Sequence, residues 1–214
     1  CRKDSIIAQE MMIHYFTKGY KNFQLELIGI ASHVYADTFA HYGFSGVSSR
    51  RNRVDSKTIK LKQSEEVVNA ALGKNLTSWL KKYKTLLPNI RQVISDVGEN
   101  VSGGLGHGAV STYPDQPFLE WSFEYEFPEH HIIQQTTRNN PETFLEATEA
   151  LYSYYREIPN RFAEDKTVTK YKDIKKIIQQ IINTPGNKIQ RAALWNKAAK
   201  EGIFGTKEEI PVFQ

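Results

Sequence analysis

The stretch "NFQLELIGIASHVYADTFAHYGFSG", from residue 22 on, reads as a helix of about six turns that is apolar on every side and stops at Gly43 and Gly46. Its interior holds almost no charge except Glu26, Asp37 and whatever charge its histidines carry. A helix without a polar face is a central one, so the sequence predicts a fold packed around it on several sides. At the end of this helix His33, Asp37 and His41 recur every four residues. Each such step turns the helix by only about 40°, so the three side chains share one side over two turns.

Other segments repeat the helical period. Ile6, Ile7, Met11, Ile13, Tyr15 and Phe16 predict a helix over residues 5–17, with Asp4 or Ser5 as its N-cap and Gly19 closing it. Val67, Val68, Ala71, Leu72, Leu76, Trp79, Leu80 and Tyr83 predict another, and Leu87, Ile90, Val93, Ile94 and Val97 a further one from Pro88. "NNPETFLEATEALYSYYREIP" carries the clearest signals, with Asn140 as N-cap, Pro141 at the first helical position and Glu142 in the first turn. Amphipathic helices follow over residues 168–182 and 189–200, the last closed by Gly202.

Between them, residues 47–61 read as a polar, basic surface loop, and the Gly- and Pro-rich residues 98–117 must be loop. "FLEWSFEYEF" alternates Leu119, Trp121, Phe123, Tyr125 and Phe127 with polar residues, which is strand periodicity, but a lone strand needs a partner that the sequence does not reveal. The expected fold is mainly α: a single-domain helical bundle over residues 1–214 with a long Gly/Pro-rich loop and at most a short strand or hairpin. With 40% hydrophobic and 24% charged residues, the composition is that of a folded globular chain. No apolar run is long enough for a transmembrane helix. A net charge of +4, spread along the chain, does not point to nucleic acid.

The lone cysteine, Cys1, excludes an intrachain disulfide and a zinc-finger framework. As the first residue it reads as a fragment boundary, with a lipidated or processed terminus as the alternatives, so an upstream segment of the same protein is an expected partner. The compartment stays open, with the cytoplasm slightly favoured.

His and Asp one turn apart can ligate one ion, and a third member another turn along fits two metals about 3.5–4 Å apart bridged by the carboxylate. Two further ligands are candidates. His107 lies between Gly106 and Gly108, where the backbone allows close approach, and Asp115 lies in "TYPDQP". Each has a plain turn reading as well. For His130 and His131 the surface-loop reading wins, because adjacent side chains diverge. Glu26, two turns before His33, reads as an acceptor behind an imidazole or as a surface carboxylate. Arg50 and Arg51, in "SSRRNR", would receive a phosphate oxygen of a substrate, or simply form a solvated loop. No GxSxG motif is present, and "SGGLGHG" lacks the Lys-Ser/Thr of a phosphate-binding loop.

The block "LELIGIASHVYADTFAHYGFSGV", followed by "LGHGAVSTYPDQPFLEW" and "NNPETFLEATEALY", resembles an uncharacterised bacterial helical family, the domain of unknown function 6765. His33, Asp37, His41, Gly43 to Gly46, Gly106 to Gly108, Tyr113 to Asp115, Pro117 and Trp121 match its pattern over roughly residues 5–155. The resemblance implies an upstream helical segment with paired histidines and aspartates that would add metal ligands. More loosely, His33 and Asp37 are similar to the His-x-x-x-Asp element of the zinc-dependent phospholipase C and P1-type nuclease superfamily. Here His41 follows the Asp by four residues where that superfamily has six, and its downstream His-x-x-x-Glu helix is absent.

The sequence therefore supports two expectations. In one, a metal-dependent hydrolase, acting on a small molecule or phosphoester, holds zinc, or else manganese or iron, through His33, Asp37, His41, His107 and Asp115. In the other, a non-catalytic helical binding module uses His33, Asp37 and His41 as a buried polar network.

Overall fold

A computed structural model describes residues 1–17, 23–47, 49–72, 110, 112–131, 136–156 and 169–205. The helices expected between residues 73 and 97, and most of the glycine-rich loop, lie outside the described residues. In chain order the elements are α1 (Ile6–Thr17), α2 (Gln24–Ala40), β1 (Val54–Leu61), α3 (Glu65–Leu72), β2 (Glu120–Tyr125), β3 (Thr137–Asn139), α4 (Asn140–Tyr155), α5 (Tyr171–Asn183) and α6 (Lys188–Lys200). Helices predominate, as expected. The sheet is larger than expected: instead of at most a hairpin, β1, β2 and β3 form, among the described residues, a three-stranded antiparallel sheet with β2 in the middle.

The strand missed by the sequence reading is β1, in the segment assigned to a surface loop. It is the missing partner of the alternating β2 segment, pairing Val54 with Tyr125 and Leu61 with Trp121. Its register shifts between Asp55 and Lys60. That irregularity hides the two-residue period, while the strand's polar residues mask its apolar contributors, Val54, Ile59 and Leu61. At the irregularity the Thr58 hydroxyl donates to the Asp55 carbonyl at 2.6 Å and accepts the Glu124 amide at 2.9 Å, so a side chain satisfies a backbone donor of β2.

The chain gathers into two compact units. One holds residues 43–140 and 184–191; the other holds 1–42, 141–183 and 192–214. In the sheet-containing unit, the buried face of β2 presents Trp121, Phe123 and Tyr125, which pack with Phe44, Val54, Val68, Ala71, Val110, Phe118 and Leu119. Ring centroids of Trp121 and Phe123 stand 5.1 Å apart, and those of Phe44 and Phe123 5.6 Å. Each such ring stabilises the core by about 1.5–3 kcal/mol through burial. Arg138, opposite Trp121 on β3, is buried with its guanidinium 5.4 Å from the Phe123 ring centroid.

Among its described residues the helical unit has two cores. Ala8 and Met12 of α1 meet Ala31, Tyr35 and Phe39 of α2 and Ala147 of α4. Tyr171, Ile178 and Ile182 of α5 form the second, packed by Phe144, Leu145 and Tyr152 of α4 and Trp195 of α6. Ser5, not Asp4, caps α1, its hydroxyl accepting the Ala8 amide at 3.3 Å. Asp4 instead takes a left-handed backbone conformation, φ +47°, and its carboxylate accepts the buried Tyr35 hydroxyl. Burial, then that carboxylate, pushes the Tyr35 phenol well above its ordinary pKa.

Candidate functional site

Helix α2 is not buried all round. Gln24, Ile28, Ala31, Ser32, Tyr35 and Phe39 face inward, while Leu25, Glu26, Gly29, Ile30, His33 and Val34 face solvent. The sequence concealed this because three of the six outward residues are apolar or glycine's neighbours in character: Leu25, Ile30 and Val34 make the whole helix look like core. The inward face is pinned through Ser32, whose hydroxyl donates to the Ile28 carbonyl at 2.6 Å and accepts the Tyr155 hydroxyl at 2.7 Å.

The His-Asp row therefore lies on the outward side. His33 Nε2 stands 3.6 Å from Asp37 Oδ2, with the two side chains 78% and 41% exposed. Side chains one turn apart meet in this way by helical geometry alone. His41 is placed differently. The helix ends at Ala40, and His41 is its C-cap, with φ −101° and its amide donating to the Asp37 carbonyl at 2.9 Å. Among the described residues, no group of three or more His, Cys, Asp or Glu side chains is drawn together as a metal cluster.

The turn after α2 uses Gly43 at φ +87°, where an added Cβ would stand 2.7 Å from the Tyr125 hydroxyl and 3.0 Å from Arg138 Nη2. The following "FSGV" loop is gathered by Asn52, which is fully buried. Its Oδ1 accepts the Ser45 amide at 2.7 Å, and its Nδ2 donates to Ser45 Oγ at 3.0 Å and the Val47 carbonyl at 2.9 Å. Sequence reasoning passed over Asn52, which lies in the basic run "SSRRNR" with no local signal of its role.

His107 lies outside the described residues. Asp115 belongs to the sheet-containing unit, exposed at the end of the short 3-10 turn Tyr113–Asp115, with its amide donating to the Thr112 carbonyl at 3.0 Å. The residues around it are built into a knot centred on Asn140. That side chain donates to the carbonyls of Tyr113 at 2.7 Å and Gln116 at 2.8 Å and accepts the Trp121 indole at 3.1 Å. Asn140 was expected to cap α4; it stands at the helix start but spends its side chain on this loop.

Arg50 and Arg51 are exposed on the 3-10 turn Arg50–Asn52. The Arg50 guanidinium sits 4.6 Å from the Phe127 ring centroid, and the Arg51 amide donates to Ser49 Oγ at 3.2 Å. Nearby His131, expected as a plain surface-loop residue, stacks on Tyr125 with centroids 3.5 Å apart and planes 14° apart. Burial lowers its pKa, assisted by the charges of Arg51 and His130, while a hydrogen bond to the Arg51 backbone and Glu129 pull the other way. Among the described residues its buried Nε2 has no hydrogen-bond partner.

The described residues define a predominantly helical protein with a small antiparallel sheet and an exposed acid–imidazole pair on the outer side of one helix. The chain belongs to the family of unknown function DUF6765, whose model matches residues 1–214. No curated protein and no solved structure gives a match, so the looser similarity to the phospholipase C and P1-type nuclease superfamily gains no support.

Proposed function

We propose that the chain binds a divalent metal through His33 and Asp37 and uses it for hydrolysis. The observation that carries this reading is the 3.6 Å separation of His33 Nε2 and Asp37 Oδ2 on the solvent side of α2. Two ligand atoms at about 2.0–2.2 Å from one zinc stand roughly 3.4 Å from each other, so the pair needs little movement to share an ion. Its exposure supports an external ligand over a network that satisfies itself inside a core. Mixed nitrogen and oxygen donors suit zinc, with manganese and iron also accepted. When bound, such an ion lowers the pKa of a coordinated water towards about 7 and polarises a phosphoryl or carbonyl oxygen. His33 and Asp37 would orient the ion, leaving coordination positions for water and substrate. A phosphoester is a substrate class that such an ion suits, since it would stabilise the charge that develops on a phosphoryl oxygen.

The test is metal content and thermal unfolding of the purified chain after zinc loading, beside His33→Ala and Asp37→Asn. The expected result is bound zinc and a raised Tm in the wild type, both lost in the variants, with chelator erasing the difference between them. Hydrolysis of bis(p-nitrophenyl) phosphate should follow metal occupancy. A wild-type chain that takes up neither zinc nor manganese would overturn the reading.

A further inference from the structure

The outward residues of α2 fall in three adjacent couples, Leu25–Glu26, Gly29–Ile30 and His33–Val34. They are spaced evenly about a midpoint between Gly29 and Ile30. Within them Glu26, Ile30, His33 and then Asp37 follow a 4-3-4 spacing, which is the spacing of a seam along which one helix packs on another. Leu25, Ile30 and Val34 are 61%, 62% and 45% exposed, an apolar load that a helix facing only water does not need. At Gly29 the space where a side chain would stand is open, so a second backbone can approach there.

We infer that α2 pairs antiparallel with α2 of a second copy of this chain, and that Glu26 of each copy completes the metal site formed by His33 and Asp37 of the other. The inference rests on the reading that His33 and Asp37 bind metal, and it names the partner of that site. A two-fold axis through the Gly29–Ile30 midpoint reverses the helix, so it sets residue 26 of one copy at the level of residue 33 of the other. Glu26 and His33 are seven residues apart and so share nearly one azimuth, in the middle of the outward face. Carboxylate therefore meets imidazole twice across the axis, a juxtaposition of two metal-ligating groups that arises only when the helices run antiparallel. Ile30 meets its own counterpart beside the axis, and the two Gly29 positions meet on the other side.

Each ion then has one nitrogen and two carboxylate ligands. Three protein ligands with a position left for water is the composition of a catalytic rather than a closed structural zinc site. Within one copy, Glu26 cannot serve this purpose, because it lies two turns, about 10 Å, from His33 along the same helix.

Sedimentation velocity and zinc titration test the inference on the same samples. The wild-type chain should shift from 24.6 kDa to about twice that mass on adding zinc, binding two ions per dimer, and return to monomer with chelator. Glu26→Ala should lose both the dimer and tight zinc binding, as should His33→Ala. Mixing those two variants should restore a dimer with one ion, since the first still supplies His33 and Asp37 and the second still supplies Glu26. Ile30→Glu should keep the chain monomeric in zinc. All three positions are exposed, and circular dichroism of each variant reports that the fold is retained. Zinc bound by a chain that stays monomeric at every concentration would overturn the shared site while leaving the metal reading intact. No zinc bound by any form would overturn both.

Discussion

The Trp121 indole Nε1 donates to Asn140 Oδ1 at 3.1 Å, at the residue where β3 runs into α4. The same amide holds the Tyr113 and Gln116 carbonyls, so one buried side chain ties a strand to the loop that bears Asp115. Asn140→Ala would leave an indole N–H and two carbonyls without their partner. Such a loss costs about 2–4 kcal/mol, read as a lowered denaturant midpoint with an unchanged slope.

Asn52→Ala should cost about 2–3 kcal/mol for the same physical reason, since its bonds serve groups of the Ser45–Val47 loop that have few alternatives. Amide hydrogen exchange should show the lost protection concentrated at Ser45, whose N–H bonds directly to Asn52.

Gly43→Ala combines a positive φ with a Cβ that would stand 2.7 Å from the Tyr125 hydroxyl. The conformational cost alone is on the order of 1 kcal/mol, and the contact adds to it. Removing that hydroxyl in the double variant Gly43→Ala/Tyr125→Phe should recover the part of the steric cost due to Tyr125 but not the conformational part. Full recovery in thermal unfolding would show that φ contributes nothing.

His131 sets a direction for pH dependence. Its folded-state pKa lies below the ordinary 6.5, so on acidification the unfolded chain takes up its proton first. Stability linked to this residue is therefore fully present above about pH 6.5 and is lost as pH falls through the lower folded-state value. His131→Phe, which keeps a ring on Tyr125, should flatten this part of a stability–pH curve. An unchanged curve would mean that other groups account for the acid slope.

What was legible in the sequence followed strong local signals. The apolar period of α1 and α2, the Pro141–Glu142 start of α4 and the Gly202 stop after α6 all depend on residues close in the chain, and each lies where expected. The start of α6 is fixed by a capping box that the sequence reading passed over, in which Asn187 and Gln190 exchange hydrogen bonds of 2.9 and 3.0 Å. β1 was hidden because its period breaks at the Asp55–Lys60 irregularity and its meaning depends on a partner roughly 60 to 70 residues away. The inward or outward choice for α2 was hidden because a surface with Leu25, Ile30 and Val34 reads like core. At the candidate site, the His33–Asp37 proximity followed from spacing, whereas the departure of His41 from the helix depended on where α2 stops. Asn52 and Asn140 carried no local signal, since their partners come from the folded loops around them.

The shifted register of β1 also governs what the sheet can do to other molecules. A sheet whose outer strands are long and regular offers unpaired amides and carbonyls to any extended chain, and so seeds aggregation. Here β3 is only three residues long, and β1 is interrupted where Thr58 turns its hydroxyl onto Glu124. Among the described residues, neither border is a template on which a foreign strand can continue for more than a few residues. Thr58→Val, though favourable by strand propensity, would strand the Glu124 amide and smooth that border, trading a local gain for a surface more prone to fibril growth.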